Sequence, residues 1–277
     1  MCLIVLAWRT HPDHRLVVAA NRDEYFGRPA APAGFWDDHP NVLAGRDLEA
    51  GGTWLGITLD GRFAALTNYR NPADKKASAP SRGALVSEFL TGKMTPLEYL
   101  QGVERRAVNY NGFSLLVGHT TSLYFLSNRG GHVTRVDPGI HGLSNHLLDT
   151  PWPKVEKSKA KLAKQLEKPF DAAEAFRLLD DTERAPSTTL PSTGVSLELE
   201  ERLSAIRILA VGGYGTRCST VLSLSEGGRI EFHERSYHED GSESGKVGYR
   251  LTVEPGKAPA SSRRAGSPPP KTPLPAP

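Results

Sequence analysis

The residue best suited to chemistry is Cys2, directly after the initiator Met1. Its side chain is small, and methionine aminopeptidases remove Met1 ahead of such a residue, leaving a cysteine that carries both a thiol and a free α-amine. An α-amine titrates at about 7.7–8.0, far below lysine, so it serves as a base at neutral pH, and the thiolate is a strong nucleophile. The plainer alternative is that Cys2 is a small apolar residue that opens a buried strand. The neighbourhood bears on the choice. If the runs 2–8 and 15–20 pair through a turn centred on Pro12 and Asp13, opposed residue numbers sum to about 25. Cys2 then faces Asp23, within two residues either way, in the polar run Asn21-Arg22-Asp23-Glu24. A carboxylate there can hold the α-ammonium group or orient the amine, and an arginine can lower the thiol's pKa. Three more polar residues interrupt apolar strands in the same manner: Asn68, Asn145 and Arg217. Side-chain amides suit an oxyanion, and a buried arginine suits a substrate carboxylate or the support of a carboxylate partner.

The elements that must position these residues alternate in blocks. Strands are predicted over 2–8, 15–20, 52–58 and 62–69, and a helix over 82–90. A further helix is opened by the capping box Thr95-Pro96-Leu97-Glu98. A hairpin follows over 113–118 and 123–126, then helices over 152–166 and after Asp171. A polar stretch, 183–196, precedes closing strands over 206–211, 218–224, 229–235 and 247–253. Strands that return to one assembly across helical inserts indicate an α+β layered domain.

Several classes of activity lack their signatures. The sequence has no G-x-x-x-x-G-K-[ST] loop, no G-x-S-x-G elbow, no H-E-x-x-H and no C-x-x-C. Ser158-Lys-Ala-Lys161 matches S-x-x-K but sits in a Lys-rich amphipathic helix without partner motifs. Gly212-Gly-Tyr-Gly-Thr216 reads as a turn or bulge. The nine histidines show no paired spacing stronger than His11 and His14, so no metal site is expected. Two cysteines are too few for a disulfide framework.

The 277-residue chain carries a net charge of +3. The segment 255–277 holds eight prolines and four charged residues, Lys257, Arg263, Arg264 and Lys271, all positive, so the remainder carries −1. This tail is expected to be disordered, and the near-neutral remainder makes no case for nucleic acid. The apolar start lacks the flanks of a secretion signal, and no apolar stretch approaches the roughly 18–20 residues of a membrane span. The sequence reads as that of a soluble cytoplasmic protein without a transmembrane segment.

Met1-Cys-Leu-Ile, Ala20-Asn-Arg-Asp-Glu-Tyr, Gly51-Gly-Thr-Trp-Leu-Gly56, Leu66-Thr-Asn-Tyr-Arg70, Gly142-Leu-Ser-Asn145, Leu148-Asp-Thr-Pro-Trp-Pro-Lys154 and Tyr214-Gly-Thr-Arg217 occur in this order. Together they resemble the NRDE family, also called the transport and Golgi organisation protein 2 family. That family is similar to N-terminal nucleophile (Ntn) hydrolases, especially choloylglycine hydrolases and penicillin V acylases. The resemblance implies a four-layer αββα sandwich as one domain over residues 1–254. It also implies that Cys2 is the nucleophile, Asp23 the partner of its amine, Asn145 an oxyanion donor, Asn68 a second donor, and Arg22 and Arg217 the active-site arginines. One departure stands out: those acylases space the early arginine three residues before the aspartate, whereas Arg22 adjoins Asp23, and strand alternation sends neighbours to opposite faces.

Two functions follow from the resemblance. One is hydrolysis of a small-molecule amide, a non-peptide carbon-nitrogen bond, with no cofactor. The other is non-catalytic trafficking of haem or of acyl-CoA and lipids, with Cys2 available as an axial ligand to haem iron. A third reading, in which the basic tail docks on nucleic acid or an anionic membrane, rests on composition alone.

Overall fold

The computed structural model describes residues 2–74 and 76–253. The predicted tail, 255–277, lies outside the described residues. The chain runs β1 (Cys2–Trp8), β2 (His14–Tyr25), β3 (Ala30–Phe35), β4 (Val42–Asp47), β5 (Leu55–Thr58), β6 (Phe63–Asn68), α1 (Gly83–Thr91) and α2 (Pro96–Arg106). It continues with β7 (Phe113–His119), β8 (Ser122–Ser127), β9 (Thr134–Arg135), β10 (Gly139–Leu143), α3 (Pro153–Gln165), α4 (Ala172–Leu179) and α5 (Leu197–Leu203). It closes with β11 (Tyr214–Ser225), β12 (Arg229–Tyr237) and β13 (Glu243–Thr252).

The strands form two antiparallel sheets, a six-stranded one ordered β10-β1-β2-β11-β12-β13 and a seven-stranded one ordered β3 through β9. Three apolar cores stack them into an αββα sandwich. The central core joins the sheets, with Ile4, Leu6, Val18 and Leu222 meeting Leu43, Ile57, Phe63 and Leu116. A second lies under α1 and α2, where Leu85, Phe89 and Leu100 cover Ala64, Leu115 and Val117. The third lies under α3 and α4, where Val155, Leu162 and Phe176 cover Leu3, Val5 and Ala19. This explains the unbroken apolar run of β1: the strand lies between β10 and β2, its even-numbered residues face the other sheet and its odd-numbered ones the helices. No helix among the described residues is long and apolar enough to cross a membrane.

Thr95 caps α2 as predicted, accepting from the Glu98 amide while Glu98 reaches back to the Thr95 amide. Four elements depart from expectation. Residues 206–211 form no strand. Ile206 and Ile208 are buried plugs, tied by bonds from Ile208 N to Thr216 Oγ1 (2.8 Å) and from Thr216 N to the Ile208 carbonyl (2.9 Å). β3 and β4 were not expected: Pro32, Gly34 and Gly45 weaken the strand signal, but β3 is a sheet edge, where proline interrupts no central ladder. α5 lies just beyond the polar stretch and is capped by Ser196.

Candidate functional site

In the six-stranded sheet Cys2 pairs with Arg22, and Arg22 with Cys218, so these three residues form one row across β1, β2 and β11. The row lies on the face turned toward the other sheet, immediately beyond Ile4, Ala20 and Thr220. There the apolar core gives way to a cleft of about 690 Å³. Cys2, Arg22, Asp23, Asn68 and Arg217 all border this cleft, with Arg82, Cys218 and Glu234. The pairing is one residue from the predicted centre, and it places Arg22, next door to Asp23 in sequence, beside Cys2. The Asp23 carboxylate turns to the helix side, as alternation requires, while its backbone hydrogen-bonds the Cys2 thiol. Burial pushes that thiol above its ordinary pKa.

Arg217 reaches the cleft through a bulge. Thr216 pairs with Asp23 and Cys218 with Arg22, so Arg217 is the extra residue between them. In an unbroken strand Thr216 and Cys218 would share a face. The bulge lets Thr216 turn to the helix side and donate to Asp23 Oδ1 at 2.6 Å, while Arg217 borders the cleft. Its guanidinium donates to the Tyr25 and Arg28 carbonyls and lies over Phe26.

Asn145 is fully buried and held in the left-handed region, φ +57°, which asparagine tolerates. Its Nδ2 donates to the Asn68 carbonyl at 2.9 Å, its own carbonyl accepts from Arg70 N at 2.7 Å, and the neighbouring Ser144 hydroxyl donates to the Cys2 carbonyl at 3.1 Å. Asn145 thus stands behind Asn68 and outside the cleft wall, whereas the Asn68 side-chain amide makes no hydrogen bond among the described residues. Asp149, also at φ +57°, shapes this loop: Oδ1 accepts from Gly142 N at 2.9 Å and Oδ2 meets His141 Nδ1 at 2.6 Å. That carboxylate raises the His141 pKa, and Asp149 itself falls to about 2: burial opposes the fall, but bonds from His141, Gly142 and Lys159 outweigh it.

On the helix side the sheet carries a buried polar cluster that the sequence motifs contained without revealing. Arg70 pairs with Glu200 at 2.5 Å and packs over Trp152. Lys154, two residues after Trp152 in the first turn of α3, is 2% exposed, and its ammonium makes no hydrogen bond among the described residues. Burial lowers its pKa to about 8, resisted chiefly by the charge of Asp23, and burial raises Asp23 against the opposing pull of Lys154. Arg70 and Lys154 end two of the quoted motifs, so charge following aromatic or proline residues was the available signal. Glu200 offered none, since acidic residues fill its helix. Arg82, Cys218 and Glu234 were likewise not anticipated. Glu234 accepts from Ala33 N at 2.7 Å, bridging the sheets, and burial raises its pKa. Among the described residues no group of three or more His, Cys, Asp or Glu side chains is placed to hold a metal ion.

By overall shape the chain is similar to a mutant conjugated bile acid hydrolase from Clostridium perfringens (TM-score 0.49, 10% identity, 94% of this chain and 100% of that one). It is also similar to an N-acylethanolamine-hydrolyzing acid amidase orthologue from Caenorhabditis elegans (TM-score 0.40, 13% identity, 80% and 92%). In sequence it is 38% identical over 261 residues to the bovine Transport and Golgi organization protein 2 homolog, covering 85% of this chain and 93% of the relative. The human homolog is 36% identical at the same coverage, and the Drosophila melanogaster protein 26% identical over 267 residues. The family model for Transport and Golgi organisation 2 matches residues 1–239, and the chain belongs to that family.

Proposed function

We propose that the chain hydrolyses a small-molecule amide, with Cys2 as the nucleophile once Met1 is removed. The supporting observation is the convergence at one end of β1: the thiol at a 690 Å³ cleft, Arg22 across from it, Asp23 beside it, and Asn68 and Arg217 bordering the same cleft. The α-amine of Cys2 takes the thiol proton as sulfur bonds to the amide carbon, and the carbonyl oxygen becomes an oxyanion. Asn68, which borders the cleft, is the proposed donor for it, with Asn145 fixing the Asn68 backbone. Collapse breaks the carbon-nitrogen bond, and the departing amine carries off the proton held by the α-amine. Water, deprotonated by the same α-amine, then attacks the thioester, releasing the acid and restoring the thiol. The Asp23 carboxyl group, fixed by its Thr216 bond, orients the amine.

The alternative, haem or an acyl chain carried in the same cleft, draws less support from this wall. Burial favours the protonated Cys2 thiol, whereas iron binds a thiolate, and the wall is crowded with charged residues. Intact mass and iodoacetamide mapping of the purified protein test the proposal. Loss of Met1 and selective labelling of Cys2 are expected, and a retained Met1 or an inert thiol refutes it.

A further inference from the structure

Charge pairing within the cleft wall is uneven. Its carboxylates are engaged: Asp47 and Glu49 hold Arg28 at 2.8 and 3.2 Å, and Glu234 accepts from Ala33 N and Thr220. Glu24, the acid with the strongest pull on Arg82, accepts from the Tyr25 amide at 2.9 Å and forms no ion pair among the described residues. Arg46 is held by Asp38 at 2.7 Å. By contrast Arg22, Arg82 and Arg217 form no ion pair among the described residues. Arg82 donates to the Gly112 carbonyl at 3.0 Å, Arg217 to the Tyr25 and Arg28 carbonyls, and Arg22 makes no side-chain hydrogen bond among the described residues.

These three guanidiniums are partly withdrawn from water and close enough to sense one another or Cys2. Arg22 opposes the charge of Arg217, and both Arg22 and Arg82 act on the Cys2 thiol or are acted on by it. Burying like charges together is unfavourable, and the charges of Glu24 and Asp47 do not cancel the fall that burial imposes on Arg82 and Arg217. A planar guanidinium matches a carboxylate or phosphate with paired donors. The bulge that turns Arg217 into the cleft therefore adds a cation that no carboxylate pairs among the described residues.

We propose that the cleft recognises its substrate through an anionic group, a carboxylate or phosphate, held by Arg22, Arg82 and Arg217 within reach of Cys2. The identification of this ligand as the substrate rests on the hydrolase reading, but the anion site itself does not.

The test uses two alkylating reagents of the same size and opposite character, iodoacetate and iodoacetamide, on the full chain with glutathione in the same tube. The Cys2 peptide is quantified by mass spectrometry for carboxymethyl against carbamidomethyl product. Relative to glutathione, Cys2 is expected to favour the anionic reagent by about tenfold, the scale of one charge-assisted contact. Arg22→Gln, Arg82→Gln and Arg217→Gln each reduce the preference, and Arg217→Lys retains part of it, which separates charge from packing. A ratio equal to that of glutathione overturns the proposal.

An inert Cys2 would sink the hydrolase reading alone, so a second readout stands apart from the thiol. The unfolding midpoint is followed against inorganic pyrophosphate and, separately, glutarate at constant ionic strength. A saturable rise with either, abolished in the Arg22→Gln/Arg82→Gln variant, sustains the site and tells phosphate from carboxylate. No rise with either overturns it.

Discussion

On the helix side of the six-stranded sheet Asp23 receives the Thr216 hydroxyl, Arg70 grips Glu200, and Asn21 donates to the carbonyls of Leu179 (3.0 Å) and Ile206 (2.9 Å) while accepting from Ser219. On the cleft side, Arg22, Arg82 and Arg217 have at most backbone carbonyls as hydrogen-bond partners among the described residues. Both regions remove charge from water. Where partners are fixed, the charge belongs to the architecture, and removing one member strands the other. Where partners are lacking, the charge carries a standing cost that an arriving group would offset. The same substitution should therefore have unequal effects on the two faces.

The largest contrast is Arg70→Gln against Arg22→Gln. Loss of Arg70 leaves the 3% exposed Glu200 without its cation and is expected to cost about 3–5 kcal/mol in urea unfolding. Arg22→Gln removes no ion pair and is expected to stay within about 0.5 kcal/mol. Equal losses would erase the distinction between the faces.

The next effect is a pH dependence owed to Lys154. Its folded pKa, about 8, lies below its ordinary 10.5, so between those values the unfolded chain holds a proton that the folded chain lacks. Stability contributed by this group therefore rises as pH climbs from about 8 toward 10.5, by roughly 3 kcal/mol at the limit. Lys154→Met should flatten that rise relative to the parent, measured as the difference between the two unfolding curves across pH. An unchanged difference would mean that Lys154 stays charged when buried.

A smaller loss is expected for Ser219→Ala. It strands the Asn21 Oδ1 acceptor and removes one of the two partners of the Tyr237 hydroxyl, leaving Asp180, and costs about 1–3 kcal/mol in thermal or urea unfolding. Smallest is Asp149→Asn, which keeps a residue suited to φ +57° but loses the ionic partner of His141. Because Asp149 is a third exposed, about 0.5–1 kcal/mol is expected at neutral pH. The difference from the parent should vanish as pH falls toward 2, where Asp149 takes up its proton.

Periodicity and turn chemistry carried much of the fold. β1 has its predicted bounds because both of its faces are buried, and the Pro12-Asp13 turn set its register to within one residue. The Thr95 box marked α2 because its reciprocal bonds are local. Strands built from small residues escaped notice, since β3 and β4 owe their pairing to neighbours in the sheet. The segment 206–211 misled for the opposite reason: its apolar side chains are buried, but its backbone follows the bulged end of β11 without joining the ladder. At the site, the meeting of Cys2 with Arg22 and Asp23 was legible because a hairpin register is arithmetic. Arg70, Lys154 and Glu200 were not, because their meeting depends on how α3 and α5 settle against a sheet far from them in sequence.

The bulge at Arg217 also bears on how this strand tolerates change in length. Thr216 opposes Asp23 and Cys218 opposes Arg22, and those two partners are themselves adjacent, so a β11 shortened by one residue at position 217 would align without a gap. Every other pair in the ladder would keep its partner. A single-residue deletion, ordinarily ruinous inside a central strand, would here remove one of the ladder's two irregularities. In that sense Arg217 is an insertion that serves the cleft, carried by a strand whose own hydrogen bonding is complete without it.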